Sequence, residues 1–196
     1  MLRALGEHTL RGGQFRMRQY DPRLVVPGGP IGAYIMRNKI DVTIWSLEEI
    51  TRKISEWPTE FNIVSIRSSD VPPKLYGAFE KHRRNYKNII VECFDDLTLP
   101  RAGLIMPSHE HIQRILMWTK GKDKIAVHCT AGISRSAAVA YLIACQQTSP
   151  KKALGLFEPA IHCPNRLILE LGVEILKDES VLSEYTEWFE RTYGQY

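Results

Sequence analysis

Nine consecutive residues, His128 to Ser136 (HCTAGISRS), hold the side chains best suited to chemistry. The apolar run from Lys124 to His128 reads as a buried strand ending at Cys129, and a second apolar run from Ser134 reads as a buried helix. Five residues, Gly132 among them, separate Cys129 from Arg135 at this junction. A loop in that position aims successive backbone N–H groups inward, and the new helix adds its own unpaired N–H groups and positive dipole end. The result is a cradle for an anion. Gly132 allows the positive φ or close approach such a turn needs. Arg135, six residues after the cysteine, is placed to curl back and grip two oxygens of the same anion with its planar fork. A sulfur at the centre of that positive field favours the thiolate, and a thiolate beneath a bound phosphate is a nucleophile aimed at phosphorus. A lone cysteine ending a core strand would be no more than a small hydrophobe; the whole constellation is what argues otherwise.

The elements around the loop must hold it in place. Asp41–Trp45 reads as a short strand, followed by a capping box at Ser46 and Glu49 and a helix through Leu47, Ile50, Ile54 and Trp57, which Pro58 stops. Phe61–Ile66 and Asn88–Phe94 read as further strands, and residues 74–86 and Ser108–Trp118 as amphipathic helices. Ser134–Gln147 is apolar nearly all round, as a buried helix should be. Helical segments at 149–158, 165–177 and 181–193 close the chain. Alternating strands and helices predict an α/β fold: a central, mostly parallel sheet of about four to five strands flanked by helices, with a helical C-terminal third. Ligands of such sheets bind beyond the carboxyl ends of the strands. Two of those ends carry unusual chemistry, Asp95-Asp96 and His128-Cys129.

The motif resembles the HCxxGxxR[ST] signature of the cysteine-dependent protein tyrosine phosphatases, and most of all their small dual-specificity branch in its bacterial form. The resemblance spans residues 40–178. It implies a phosphotyrosine-phosphatase-like fold, a phosphocysteine intermediate on Cys129 and phosphate binding by Arg135. It implies that the N–H groups of Thr130, Ala131, Gly132, Ile133, Ser134 and Arg135 line the substrate phosphate. It also implies that His128 supports the thiolate from behind and that Ser136 donates to the sulfur as it leaves. Neither a cofactor nor a metal is implied. The family further requires a general acid on a separate loop, usually an Asp thirty to forty residues before the Cys. The stretch Phe94–Pro100 (FDDLTLP) offers Asp96, with Pro100 four residues on, and Asp95, which could instead cap or brace the loop. Asp96 is the favoured candidate, with Asp95 kept beside it. The Pro164-Asn165 pair is similar to one that follows the loop helix in small dual-specificity phosphatases, where the Asn bonds the region behind the phosphate loop. Alternatively, it simply opens a helix.

The loop's variable positions (Thr130, Ala131, Ile133, Ser134) are uncharged, whereas phosphoinositide phosphatases of this superfamily often place lysines there. RNA 5′-phosphatases usually carry an Asn before the Arg and Thr-Gly after it, where this chain has Ser134 and Ser136. Both comparisons favour a phosphoprotein substrate, phosphotyrosine first. The rival from another class is an inactive module that binds phosphorylated partners; such proteins usually lack the Cys or the Arg, and both are present here.

Composition narrows the field. The chain has 196 residues, 44% hydrophobic and 24% charged, as soluble globular domains do. Its longest apolar run, Ala137–Cys145, is about half of a membrane span, so no transmembrane segment is expected. The four cysteines (Cys93, Cys129, Cys145, Cys163) form no CxxC pair, which suits a reducing, cytoplasmic setting. Residues 1–39 hold seven Lys and Arg against two Asp and Glu, while residues 40–196 hold 19 against 20. The expectation is a basic N-terminal extension, 1–39, and one phosphatase domain, 40–196, whose neutral body calls for no nucleic acid. His109 and His111 read as surface residues, Cys93 and Cys163 as core thiols, and the four tryptophans as core. The cluster at Lys81, Arg83, Arg84 and Lys87 reads as a solvated helix face.

Overall fold

The computed structural model describes residues 40–56, 61–83 and 88–194. The basic segment 1–39, Trp57, Pro58, and Arg84 and Lys87 of the basic cluster lie outside the described residues.

Four strands form one parallel sheet: β1 (Val42–Trp45), β2 (Asn62–Arg67), β3 (Ile89–Cys93) and β4 (Ile125–His128). Their spatial order is β1-β4-β2-β3, so β4 lies between β1 and β2. Trp45 and Ser65 both stand in register with His128. The helices are α1 (Leu47–Glu56), α2 (Gly77–Arg83), α3 (His109–Thr119), α4 (Arg135–Gln147), α5 (Pro150–Ala153), α6 (Arg166–Leu176) and α7 (Ser180–Tyr193). A 3-10 turn at Pro73–Tyr76 opens α2, and another at Leu154–Leu156 ends α5. The expected helices at 74–86 and 149–158 are thus each part 3-10 turn and part α-helix.

Both faces of the sheet are covered, which is why its strands read as apolar runs rather than alternating ones. Period-2 alternation decides which residue faces which layer. Ile63 and Ala126 pack with Leu47, Ile50, Ile54 and Phe79 on the α1–α2 side. Val64, Ile66, Ile125 and Val127 pack with α3, α4 and α6 on the other. Every residue of α4 from Arg135 to Ala144 is buried, as its all-round apolar sequence predicts. Full burial of each Leu, Ile or Val contributes about 1.5–3 kcal/mol. Trp45, Trp118 and Trp188 are only half-buried, lying at the margins of the two layers.

Caps set where the helices start. Ser46 and Glu49 close the expected box on α1, the Glu49 N–H donating to Ser46 Oγ and the Ser46 N–H to Glu49 Oε2. Ser108 caps α3, and His111 completes that box by accepting from the Ser108 N–H. His111 is therefore a half-buried capping residue whose ring meets Phe94, not the surface residue expected. No helix among the described residues is long and apolar enough to cross a membrane.

Helices α4 and α6 pack closely, and a Cβ on Gly172 would collide with the side chain of fully buried Leu142. Gly172→Val should lower stability by about 1–3 kcal/mol despite the better helix propensity of valine. A lower urea midpoint with an unchanged denaturant slope would be the expected reading.

Candidate functional site

The loop between β4 and α4 meets the end of β1 at Gly132, and the segments just past β2 and β3 reach Arg135 at the start of α4. At the loop's centre, Cys129 is 2% exposed. The Gly132 N–H donates to Cys129 Sγ at 3.3 Å, and Ser136 Oγ lies 3.2 Å from the same sulfur. Gly132 has φ +78°, and an added Cβ would sit 2.7 Å from Ser46 N and 2.9 Å from Trp45 C. Glycine is needed there for both reasons: the left-handed backbone and the approach of the end of β1.

The loop is tied from three directions. Thr130 O accepts from the Leu47 N–H of α1 at 3.1 Å, and Ile133 O from the Cys163 N–H at 3.1 Å. Ser134 O accepts from the Ala138 N–H inside α4 and, at 3.4 Å, from the Asn165 N–H.

Arg135 is buried in the first turn of α4. Its guanidinium donates to Ser68 Oγ at 2.7 Å and to Phe94 O at 2.9 Å, while Nε has no partner among the described residues. Ser68 was not among the residues singled out from the sequence. The signal available was its position immediately after β2, at the carboxyl edge where ligands gather.

The two adjacent acids have opposite surroundings. Asp95 is buried and accepts from the Ser69 N–H (2.8 Å), the Ser69 hydroxyl and the Ile105 N–H (2.7 Å). Burial works against its charge, but the donors from Ser69 and Ile105 and the field of Arg135 outweigh it and hold the carboxyl below its usual range. Asp96 is exposed, and its Oδ1 accepts from both Ser134 Oγ (2.8 Å) and Asn165 Nδ2 (2.7 Å). Asp95 thus braces its own loop, whereas Asp96 is joined to the last residue of the cysteine loop.

Asn165 takes the helix-opening place that the sequence left open, and its amide nitrogen makes a contact the sequence did not suggest. Its Oδ1 caps α6 by accepting from the Ile168 N–H at 3.2 Å, and its Nδ2 reaches Asp96 and Leu97 O. Its side chain thus reaches the loop after β3 rather than the region behind the cysteine loop. His128 is fully buried against Phe79, and its Nδ1–H donates to Cys129 O at 3.3 Å. Burial pushes its pKa down to about 4, so the imidazole is neutral near pH 7 and reaches the cysteine through backbone geometry, not charge.

Two expectations about thiols are corrected: Cys93 and Cys163 are both exposed. Cys93 ends β3, the outermost strand of the sheet among the described residues, and Cys163 lies in the loop before α6. Cys145, by contrast, is pushed up to about 12 by burial and stays a thiol.

The chain matches no protein-family model and no curated protein. Solved structures similar to it include Tk-PTP in the active form, at 21% identity and TM-score 0.43, covering 74% of this chain and 95% of that one. PTPMT1 in complex with PI(5)P is similar at 14% identity and TM-score 0.48, covering 76% and 96%. The Yvh1 phosphatase domain from Chaetomium thermophilum is similar at 15% and 0.34, covering 76% and 89%.

The neutral, buried His128 leaves a mark on stability. The unfolded chain binds a proton there from about pH 6.5 downward, while the folded chain refuses it until about 4. Its contribution is complete above that window and falls as the pH drops through it. Urea titrations at stepped pH should show a loss of roughly 3 kcal/mol that a His128→Asn variant does not show.

Proposed function

We propose that this protein is a phosphomonoesterase that forms a phosphocysteine on Cys129 and acts on phosphoproteins, phosphotyrosine first. The observation that carries the reading is the link between two loops: a buried sulfur flanked by the Gly132 N–H and the Ser136 hydroxyl, and Asp96 bonded to Ser134 at the end of the same loop. The candidate nucleophile and the candidate proton donor, on separate elements, are thereby joined through one loop.

In this reading the substrate phosphate sits on the loop N–H groups of residues 130–135, with Arg135 gripping its oxygens through nitrogens not committed to Ser68 and Phe94. The Cys129 thiolate attacks phosphorus in line as the phosphorus–oxygen bond to the alcohol breaks. Asp96 gives its proton to the departing oxygen, so the alcohol leaves neutral. Asp96, now a carboxylate, takes a proton from water, whose oxygen attacks phosphorus and breaks the sulfur–phosphorus bond. Ser136 steadies the returning thiolate with a hydrogen bond. Asp95 has a bracing role, and His128 and Asn165 are positioning residues. No step calls for a metal or a cofactor. Residues 40–196 form the phosphatase domain in this reading, and residues 1–39 a basic extension. A reducing, cytoplasmic setting keeps such a thiolate unoxidised.

Release of phosphate from an aryl phosphate in the presence of EDTA should persist in the wild type and fall to background in Cys129→Ser. The serine variant should still bind vanadate or phosphate, because the cradle is backbone. Near-normal turnover by Cys129→Ser, or activity that needs a metal, would overturn the reading.

The acid has its own signature. Asp96→Asn should cut turnover of phosphotyrosine by about 10²–10⁴ and that of an activated aryl phosphate far less, since a good leaving group departs unaided. It should also flatten the fall in rate at high pH. Asp95→Asn should slow both substrates alike, because the amide nitrogen cannot accept the hydrogen bonds made by the oxygen it replaces. The reverse pattern would exchange the two roles.

A further inference from the structure

A cleft opens at each end of the cysteine loop. One, of about 410 Å³, is bounded by Ser134, the loop's last residue before Arg135, and runs past Pro164 and Arg166 to Tyr185 and Phe189. The other, of about 520 Å³, is bounded by Thr130, the loop's first residue after the cysteine, and runs between α1 and α2 past Leu47, Leu75 and Ala78. Both fall within the size range of small-ligand sites, about 300–1,000 Å³. Each keeps a large apolar side chain open to solvent: Phe189 is 39% exposed and Leu75 53%.

Charge in the clefts discriminates among occupants. The first holds Asp96 and Arg166, and Arg166 is already paired with Glu170 at 2.9 Å. The second holds Glu48 together with Arg52 and a single histidine, His82. A carboxylate therefore stands in each cleft, and neither gathers the cluster of cations that a second phosphate group would need. The loop itself binds one phosphate; its flanks suit uncharged, apolar groups.

We propose that the two clefts receive the apolar side chains two residues before and two residues after the phosphorylated residue of an extended polypeptide. This rests on the phosphatase reading and gives it a substrate shape. Alternation in an extended chain turns neighbouring side chains away from the surface when the phosphorylated one points in. The side chains two positions away point the same way as the phosphate, displaced along the chain by roughly 7 Å on either side. Leu75 and Phe189 become specificity-determining residues, one at each end. Neither takes part in the phosphoryl transfer.

Four phosphotyrosine peptides test this, with Leu or Ser at the second position on each side. The doubly apolar peptide should exceed the doubly polar one in kcat/KM by about tenfold or more. Leu75→Asp should abolish the preference on one side only, and Phe189→Asp on the other. Both variants should hydrolyse a small aryl phosphate at the wild-type rate. The same ranking should appear in Kd for fluorescent peptides on Cys129→Ser, which reads the clefts without turnover. Equal use of all four peptides by an enzyme active on aryl phosphate overturns the proposal and leaves the phosphatase reading intact. Higher kcat/KM on an RNA 5′-phosphate or a phosphoinositide overturns it as well. No aryl phosphate turnover in the wild type sinks the phosphatase reading, and unranked peptide binding alongside it sinks this one.

Discussion

A positive charge buried at the start of a helix is the constraint around which the site is arranged. Arg135 occupies the first turn of α4, where the helix's own N–H groups already make the potential positive, and it is 6% exposed. Such a placement is costly unless oxygens and negative charge gather about the guanidinium. Ser68 and Phe94 provide two oxygens, from the chain just past β2 and just past β3, and the field of Asp95 adds a third contribution. The ends of two strands are thereby drawn to the origin of α4, beside the cysteine loop.

The two neighbouring aspartates show how one backbone direction divides identical side chains. Successive residues leaving a strand point to opposite sides. Once Asp95 turns inward to Ser69 and Ile105, Asp96 must turn outward, towards Ser134 and Asn165. The inward carboxylate has enough donors to remain ionised and hold the loop. The outward one has solvent access and two donors on a single oxygen. The contacts that brace the loop and the contact with the cysteine loop are thus kept on separate side chains.

The strands, the buried α4 helix and the Ser46 box were legible in the sequence because each follows from local pattern: apolar runs, all-round hydrophobicity, a serine three residues before a glutamate. The nine-residue string around Cys129 was legible for the same reason. Contacts across the fold were not. Arg135 meets Ser68 over 67 positions of sequence, and Asn165 meets Asp96 over 69, so no spacing rule reaches them. His111 closes a capping box usually closed by Glu or Gln, which hid it among surface histidines. Cys93 and Cys163 looked like core thiols by residue type, but an edge strand and a loop leave them open.

The attachments of the cysteine loop to α1, to Cys163 and to α4 have an entropic meaning. A glycine-containing turn of this length, left free, would sample many shapes and would have to give them up when an anion arrived. Here that freedom is surrendered during folding, when Leu47, Cys163 and Ala138 take hold of the loop's carbonyls. An anion bound there, as the proposed function requires, would meet a turn whose shape is already settled, with little ordering left to oppose it.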